Sequence, residues 1–399
     1  MSHRFTFQEH LLRWSKKHKK QLTFHTSVLA AVTGTILIAS NFFAFTSPPE
    51  VIENEDSILT ATFVGDMMFG RYVEEVIDRK GYDYLFEYTD PYFAVSDFAT
   101  GNFKHPLLIE DRPPNPDQAF VFSTTTDTVD ALKQRNFRSL SIANNNIYDH
   151  GQLAFRDTVN YFNDQEDIAV TGHMTDHEDL DNAAIYDHNG LTIATLGVTD
   201  VLAKNSAVTS YRPGVIPLEP PHYIINSIVN ASKVSDLVIV HVHWGEAYDS
   251  HISSRQRDLA KAMSHAGADI IIGHYPHVLA PIEVYNDTVI FYSLGNFIFD
   301  QGWSRTKQTA LAQYNLLEDG TAEIELVPYV TREGQPRPVG DRSPRASVIQ
   351  KMLTKNLDPE TYERNGAKII LKVNHERVIQ ANNEPLETVK KGGGSDVAS

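Results

Sequence analysis

The sequence contains no cysteine, so disulfides, zinc–thiolate sites, a thiol nucleophile and a lipid-modified cysteine are all excluded. It also has no phosphate-cradling Gly-rich loop ending in Lys-Ser/Thr, no dinucleotide fingerprint and no Gly-x-Ser-x-Gly elbow. Positive charge is scarce after the first 25 residues. Those residues carry six Lys/Arg and one acid, a net of +5; the whole chain is −16, which leaves −16 − 5 = −21 for the remainder. A body that acidic argues against nucleic acid as a partner and against a broad electrostatic grip on any polyanion. With 41% apolar residues in 399, the chain can still build a packed core.

The one long uncharged stretch runs from Thr26 to Pro49, and Val28–Phe45 within it is mostly apolar. About 20 such residues span a bilayer as a helix. Arg13, Lys16, Lys17, Lys19 and Lys20 precede it, and Glu50, Glu53, Glu55 and Asp56 follow it. This asymmetry predicts a cytoplasmic N-terminus and an extracellular main domain. The segment is longer than a signal-peptide core and has no clear Ala-x-Ala site, so an uncleaved anchor is expected. The resulting division is a basic stub over residues 1–25, an anchor over 26–46 and a linker over 47–57. A main domain over 58–335, a C-terminal extension over 336–391 and a disordered tail over 392–399 follow.

From Ile58 onward short β-rich runs end in polar clusters and alternate with helical stretches. The runs are Leu59–Val64, Phe137–Ala143, Leu191–Val198, Leu237–Val240, Asp269–Ile272 and Val289–Leu294. Near-continuous apolar runs such as LVIV and DIII mark strands buried on both faces. Helices are predicted over Tyr72–Arg79, Thr126–Arg135, Ala154–Asn163 and Ser253–Ala266. Asn315–Val330 reads as a hairpin around Glu318-Asp319-Gly320, Pro336–Arg345 as a loop and Lys368–Val373 as a further strand. The alternation predicts an α/β sandwich whose ligand site lies at the strand C-termini.

The polar clusters at those ends are Asp66, Asn144-Asn145-Asn146, His241 with His243, and His274 with His277. His241 and His243 alternate, so both face one side of their strand. Alone, each cluster also fits a turn, a cap or a structural hydrogen bond. Together they supply the imidazole, carboxylate and amide donors from which a hydrolase builds a metal site. The residues alone leave both readings open.

The segments FVGDMMFGRYVEEVI, GNFKHPLL, SIANNNIYDHG, HWGEAYD, GADIIIGHYPHVLAPIEVY and VIFYSLGNFIFDQGW, in that order, resemble the CapA/PgsA family of poly-γ-glutamate capsule synthesis proteins. The resemblance runs from about Leu59 to Trp303. It implies a layered α/β/β/α sandwich of the calcineurin-like metallophosphatase type, preceded by one transmembrane helix. It also implies a membrane-anchored accessory role in making or exporting poly-γ-glutamate. The implied partners are the polymer itself, a ligase subunit and a small multi-spanning membrane subunit. Asn296 falls in the family's Ser-Leu-Gly-Asn-Phe segment.

Four departures from the family pattern fall inside its polar motifs. Lys104 stands two residues after Asn102 where the family has Glu, and Asn146 and Tyr275 stand where it has His. Glu246 is displaced by one position after His243. Ammonium repels a cation, and Asn and Tyr are weaker ligands than His. A two-metal centre is therefore not expected. Either no metal binds, or one weakly held Mn, Zn or Fe ion sits on Asp66, Asn145, His243 and His277. His243 and His277 are the catalytic candidates if the site is active. Lys104 is expected to form an ion pair with Asp66 in place of the missing cation. An alternative reading threads an anionic polymer past Lys104, Arg71 and Arg305.

Overall fold

A computed structural model describes residues 6–19, 21–42, 48–176, 182–302 and 305–380. The chain forms two compact units, Met1–Ser47 and Pro48–Ser399. The expected tail and residues 43–46 of the expected anchor lie outside the described residues.

The first unit holds two helices, α1 (Phe7–Lys19) and α2 (Leu22–Phe42). Among the described residues no helix is long and apolar enough to cross a membrane. Two hydroxyls of α2 are turned back on the helix, Thr26 Oγ1 donating to Leu22 O (2.8 Å) and Thr35 Oγ1 to Ala31 O (2.9 Å).

The second unit is built on ten principal strands: β1 (Ser57–Met67), β2 (Phe98–Phe103), β3 (Phe137–Ser141), β4 (Leu191–Thr199), β5 (Leu237–His243), β6 (Ile270–His274), β7 (Thr288–Phe291), β8 (Gln308–Leu317), β9 (Thr321–Arg332) and β10 (Lys368–Asn374). One sheet runs β10-β9-β8-β1-β2-β3, with Tyr362–Asn365 and Ala169–Thr171 at its edges; Asn296–Ile298 also pairs with β1. The second sheet runs Ile282–Tyr285, β7, β6, β5, β4 and Ala184–His188. Strands β4, β5, β6 and β7 are mutually parallel, as are β1, β2 and β3.

The two sheets share one apolar core. Leu59, Ala61 and Phe63 of β1 meet Leu237 and Ile239 of β5 and Ile270 and Ile272 of β6 there. The alternate residues Val238, Val240 and Ile271 face outward, onto the helices His222–Ala231 and Ser254–Ala266. Burial on both faces explains why these strands read as unbroken apolar runs. The Ser254–Ala266 helix starts on a capping box, in which Ser253 Oγ accepts from Gln256 N–H while Gln256 Oε1 accepts from Ser253 N–H.

The C-terminal segment differs from expectation. The stretch expected as a loop contains a strand, Gln335–Pro338, paired with β9, and then a helix over Pro344–Leu353. β10 pairs along β9 from Thr321 to Leu326, so this segment completes the first sheet and covers one end of the shared core.

Candidate functional site

Strand parity makes the site. On β5, Leu237 and Ile239 point into the core between the sheets, so His241 and His243 point the same way farther along. On β6 the inward set is Ile270, Ile272 and His274, and on β2 it is Phe98, Thr100 and Asn102, with Lys104 just beyond. The interior between the sheets is therefore apolar at one end and polar at the other. Gly65 permits the closest approach there. A Cβ on it would lie 2.0 Å from Gly295 O, the atom that accepts the Asp66 N–H at 3.0 Å.

Asp66 is buried at the centre of the polar end. Asn102 Nδ2 donates to its Oδ1 at 2.8 Å, His274 Nδ1 lies 3.2 Å from Oδ1, and His277 Nδ1 lies 3.5 Å from Oδ2. Asp66 Oδ2 and His274 Nδ1 form no well-aligned hydrogen bond. Burial alone would push the Asp66 carboxyl up. His274, the Lys104 charge and His277 outweigh it and hold it well below the usual carboxylate range.

Behind Asp66 the polar side chains form a directed chain. With the His274 proton on Nδ1, the nitrogen facing the accept-only Asp66 carboxylate, its Nε2 would accept from His241 Nδ1, 2.8 Å away. His241 Nε2 then accepts from the Thr100 hydroxyl at 2.8 Å, and Ser139 Oγ lies 3.1 Å from both Thr100 Oγ1 and Thr195 Oγ1. Burial drives the His241 pKa far down, which keeps the ring neutral as this pattern requires. Thr100, Ser139 and Thr195 are missing from the sequence-derived set.

Lys104 is buried, but its ammonium is not bonded to Asp66. It donates to Asn145 Oδ1 at 3.0 Å and lies 3.4 Å from His243 Nε2. The expected direct ion pair is thus corrected to an electrostatic neighbour. The reason is local: Asn145 Oδ1 is the oxygen that lies within hydrogen-bonding reach of the ammonium, and neither Asp66 oxygen is within 4 Å of it. His243 Nε2 also lies 3.1 Å from Asn145 Oδ1, and Asn102 Nδ2 lies 3.4 Å from His243 Nδ1. A neutral His243 protonated on Nε2 would donate to Asn145 Oδ1 and accept from Asn102 on Nδ1, with the Lys104 ammonium, also a donor, as an electrostatic neighbour of Nε2 and not its hydrogen-bond partner. Its pKa is driven far down by burial first and by the Lys104 charge second. Burial likewise opposes the charge on Lys104 itself, while Asp66 and then Asp149 favour it.

In front of Asp66 lies a cleft of about 410 Å³ lined by Arg71, Phe120, Phe122, Asn145, Tyr248, Tyr275, His277 and Phe299, among others. Arg71 (φ 55°), Tyr248 (68°), Tyr275 (92°) and His277 (57°) all have left-handed backbones. Each such residue costs about 1–3 kcal/mol, and such strain concentrates at functional sites. Asn296 donates through Nδ2 to Gln301 Oε1 and Thr306 O, so its Oδ1 accepts from His277 Nδ1 at 2.8 Å. Nε2 is then the His277 nitrogen left for a ligand, and burial lowers its pKa. Asn144 bridges Asn102 Oδ1 and Phe103 O. Asn146 holds the Asp149 carboxylate, which also accepts from Phe122 N–H at 2.8 Å and is pushed up to about 7 by burial.

Three expected residues stand apart from this cluster. Glu246 is exposed on the turn after His243. Arg71 lines the cleft but is bound bidentately to Asp300 (2.9 and 2.8 Å) and stacks over Phe122, and Arg305 is bonded to Ser250. The cleft therefore presents no row of free cations to an anionic polymer.

The donor set does not fit a metal ion. Among the described residues no group of three or more His, Cys, Asp or Glu is arranged to hold one. Two of the four expected ligands, Asn145 and His243, have their facing atoms within 3.4 Å of the Lys104 ammonium.

Comparison with known proteins identifies a family and several relatives. A family model described as "Bacterial capsule synthesis protein PGA_cap" matches residues 60–301. The "PGA biosynthesis protein CapA" of Bacillus subtilis (strain 168) is 42% identical over 358 residues, covering 89% of this chain and 93% of that one. The "Capsule biosynthesis protein CapA" of Bacillus anthracis is 38% identical over 387 residues, covering 95% and 94%. The solved NAD nucleotidase of Haemophilus influenzae aligns at TM-score 0.36 and 12% identity, covering 70% of this chain and 53% of that one. With a family match over more than half its length and two relatives this similar end to end, the chain belongs to the bacterial capsule synthesis protein family PGA_cap.

Proposed function

We propose that this protein is a membrane-anchored accessory subunit of poly-γ-glutamate capsule synthesis or export, whose cleft no longer performs metal-dependent hydrolysis. The observation that carries the second clause is the buried Lys104 ammonium among Asn145 and His243, where a hydrolytic metal would need those donors. The capsule role rests on family membership and on the names of the two Bacillus relatives. Its partners on this reading are a polymer ligase subunit, a small multi-spanning membrane subunit and the polymer.

The anchor on this reading is the uncharged segment over residues 26–46, of which helix α2 takes in residues 26–42. Helix α2 has 21 residues, and at about 1.5 Å each its length is comparable to a hydrocarbon core of about 30 Å. The segment carries no Asp, Glu, Lys or Arg, and the Thr26 and Thr35 hydroxyls donate to the helix backbone. Basic residues before it and acidic residues after it put the larger unit outside the cell. External protease on whole cells should cleave the larger unit and leave a membrane-bound N-terminal fragment; full protection would refute the orientation.

The functional test is deletion of the gene and complementation with the unsubstituted chain, His277→Ala and His243→Ala. Released polymer should vanish on deletion and return with all three. Loss of polymer with either variant present at normal abundance would refute the non-hydrolytic reading. Stoichiometric Mn, Fe or Zn in the purified protein, together with phosphodiesterase turnover, would refute it independently.

A further inference from the structure

Helix α1 is amphipathic, and its apolar side chains are exposed. None of its residues is buried, although Phe7 is 79% exposed, Leu11 52% and Trp14 65%. At 100° per residue, Phe7, Leu11, Trp14 and His18 fall within one narrow stripe, because they are spaced i, i+4, i+7 and i+11. Arg13, Lys16, Lys17 and Lys19 lie outside the stripe, with Leu12 (60% exposed) among them, and all four are exposed. Glu9, the only acid in the helix, is taken up at its start by Thr6 N–H and Oγ–H. The far end of the stripe is fixed to the next helix. His18 packs on Trp14 (4.6 Å between centroids) and contacts His25 of α2 at 3.1 Å.

We propose that α1 is an interfacial helix that lies on an anionic lipid surface, with Phe7, Leu11 and Trp14 in the headgroup–acyl boundary and Arg13, Lys16, Lys17 and Lys19 against the headgroups. Two features on one helix select this occupant over a protein partner. The apolar stripe includes a Trp, the residue suited to the boundary between hydrocarbon and water. Cations flank the stripe on both sides, as a surface-lying helix requires, rather than forming a single opposite pole. Continuity points the same way, since Lys20 and Gln21 alone separate α1 from the uncharged α2. The helix thereby supplies a second, charge-dependent attachment beside any transmembrane one and is sensitive to the acidic lipid content of the membrane.

The test uses the full chain in vesicles whose acyl chains carry bromine, a contact quencher of tryptophan. A Trp14→Phe chain measured in parallel isolates the Trp14 signal from those of Trp244 and Trp303. Trp14 should be strongly quenched in vesicles containing phosphatidylglycerol and weakly quenched in pure phosphatidylcholine. The double variant K16E/K17E should shift the docked–undocked balance by about tenfold or more, since each basic residue near an anionic surface contributes about fivefold. High salt should act in the same direction on the unsubstituted chain, which covers the case of a variant that fails to fold. Equal quenching in both lipids, or quenching that neither arm reduces, would overturn the proposal. So would Trp14 unquenched in both, which is the result expected if a second copy or the chain's own acidic unit covers the stripe. The readout follows Trp14 alone, so failure here is distinct from failure of α2 to span.

Discussion

The Asp66–Lys104 relation makes a sharp prediction, because each charge is tolerated only while the other is present. Burial penalises both groups, and Lys104 is one of the neighbours that holds Asp66 ionised. Two unit charges separated by about 6 Å at an effective dielectric of about 20 attract with about 3 kcal/mol. Replacing Lys104 by Met keeps the side chain's length and removes the ammonium. In the unsubstituted protein this strands the Asp66 carboxylate, so K104M is expected to destabilise the fold. In a D66N background the ammonium itself is stranded, and K104M then removes only a desolvation penalty. There it should be neutral or stabilising. The four-member cycle, measured by urea unfolding at pH 7 with Trp244 fluorescence as the probe, should give a coupling of about 2–3 kcal/mol. Trp244 is a fit reporter because it is buried and stacked on Tyr292. An effect of K104M that is the same in both backgrounds, within about 0.5 kcal/mol, refutes the argument.

Three further outcomes follow from the geometry. The Asp149 carboxyl is pushed from 3.8 to about 7, so the folded state binds a proton that the unfolded state has lost. Its contribution is full below pH 4 and disappears as pH rises through 7, by at most about 4 kcal/mol; D149N should remove that slope from a stability–pH curve, and an unchanged slope would exclude this group as its source. Thr100→Val leaves His241 Nε2 buried without a donor and should cost about 1–3 kcal/mol in urea unfolding, whereas no loss would show the directed chain to be energetically idle. Gly273→Ala would set a Cβ 2.1 Å from Tyr292 O and 2.6 Å from Trp244 Nε1, two atoms now hydrogen-bonded at 3.1 Å; a stability loss of about 3 kcal/mol is expected, with a shifted Trp244 emission.

Much of the site was legible because strand parity and strand-end position are sequence properties. His241 and His243 share a face by alternation, and Asp66, Asn145, His274, His277 and Asn296 converge because each ends or follows a parallel strand. Carrying the same period of two inward would also have found Thr100, two residues before Asn102, and Ser139 and Thr195 on the neighbouring strands. The target of Lys104 was not legible. Whether its ammonium meets Asp66 or Asn145 depends on where the Asn145 amide is placed across the cleft, which spacing does not encode. The aromatic wall was hidden for a different reason. Phe120 and Phe122 reach the cleft on a Pro-rich loop, and Arg71 meets Asp300 across 229 positions of chain. Glu246 was misjudged because Gly245, with φ 84°, turns the chain away from the cluster. The C-terminal helix over Pro344–Leu353 begins inside the Pro-, Arg- and Gly-rich stretch Pro336–Arg345 that reads as loop, and its remaining residues carry no element assigned from sequence.

The charge balance of the polar core has a consequence for any cation that approaches it. Asp66 is the one carboxylate held firmly ionised there, the rings of His241 and His243 are kept neutral, and Lys104 contributes a positive charge. A divalent ion coordinated by Asn145 and His243 would lie on the order of 4 Å from the Lys104 ammonium. At an effective dielectric of about 20, that repulsion is about 8 kcal/mol, or roughly six orders of magnitude in affinity. The ion would have to displace the lysine proton or expel the side chain from a buried pocket before the remaining donors could bind it. Changing Lys104 to Glu changes the sign of the same term. The chain K104E should therefore take up Mn²⁺ or Zn²⁺ that the unsubstituted chain refuses, measured as metal retained after desalting and as a metal-dependent rise in unfolding midpoint. If K104E gains no metal, the obstacle lies in the Asn146 and Tyr275 positions rather than in the charge. If the unsubstituted chain already holds a metal tightly, the electrostatic account of the cleft is wrong.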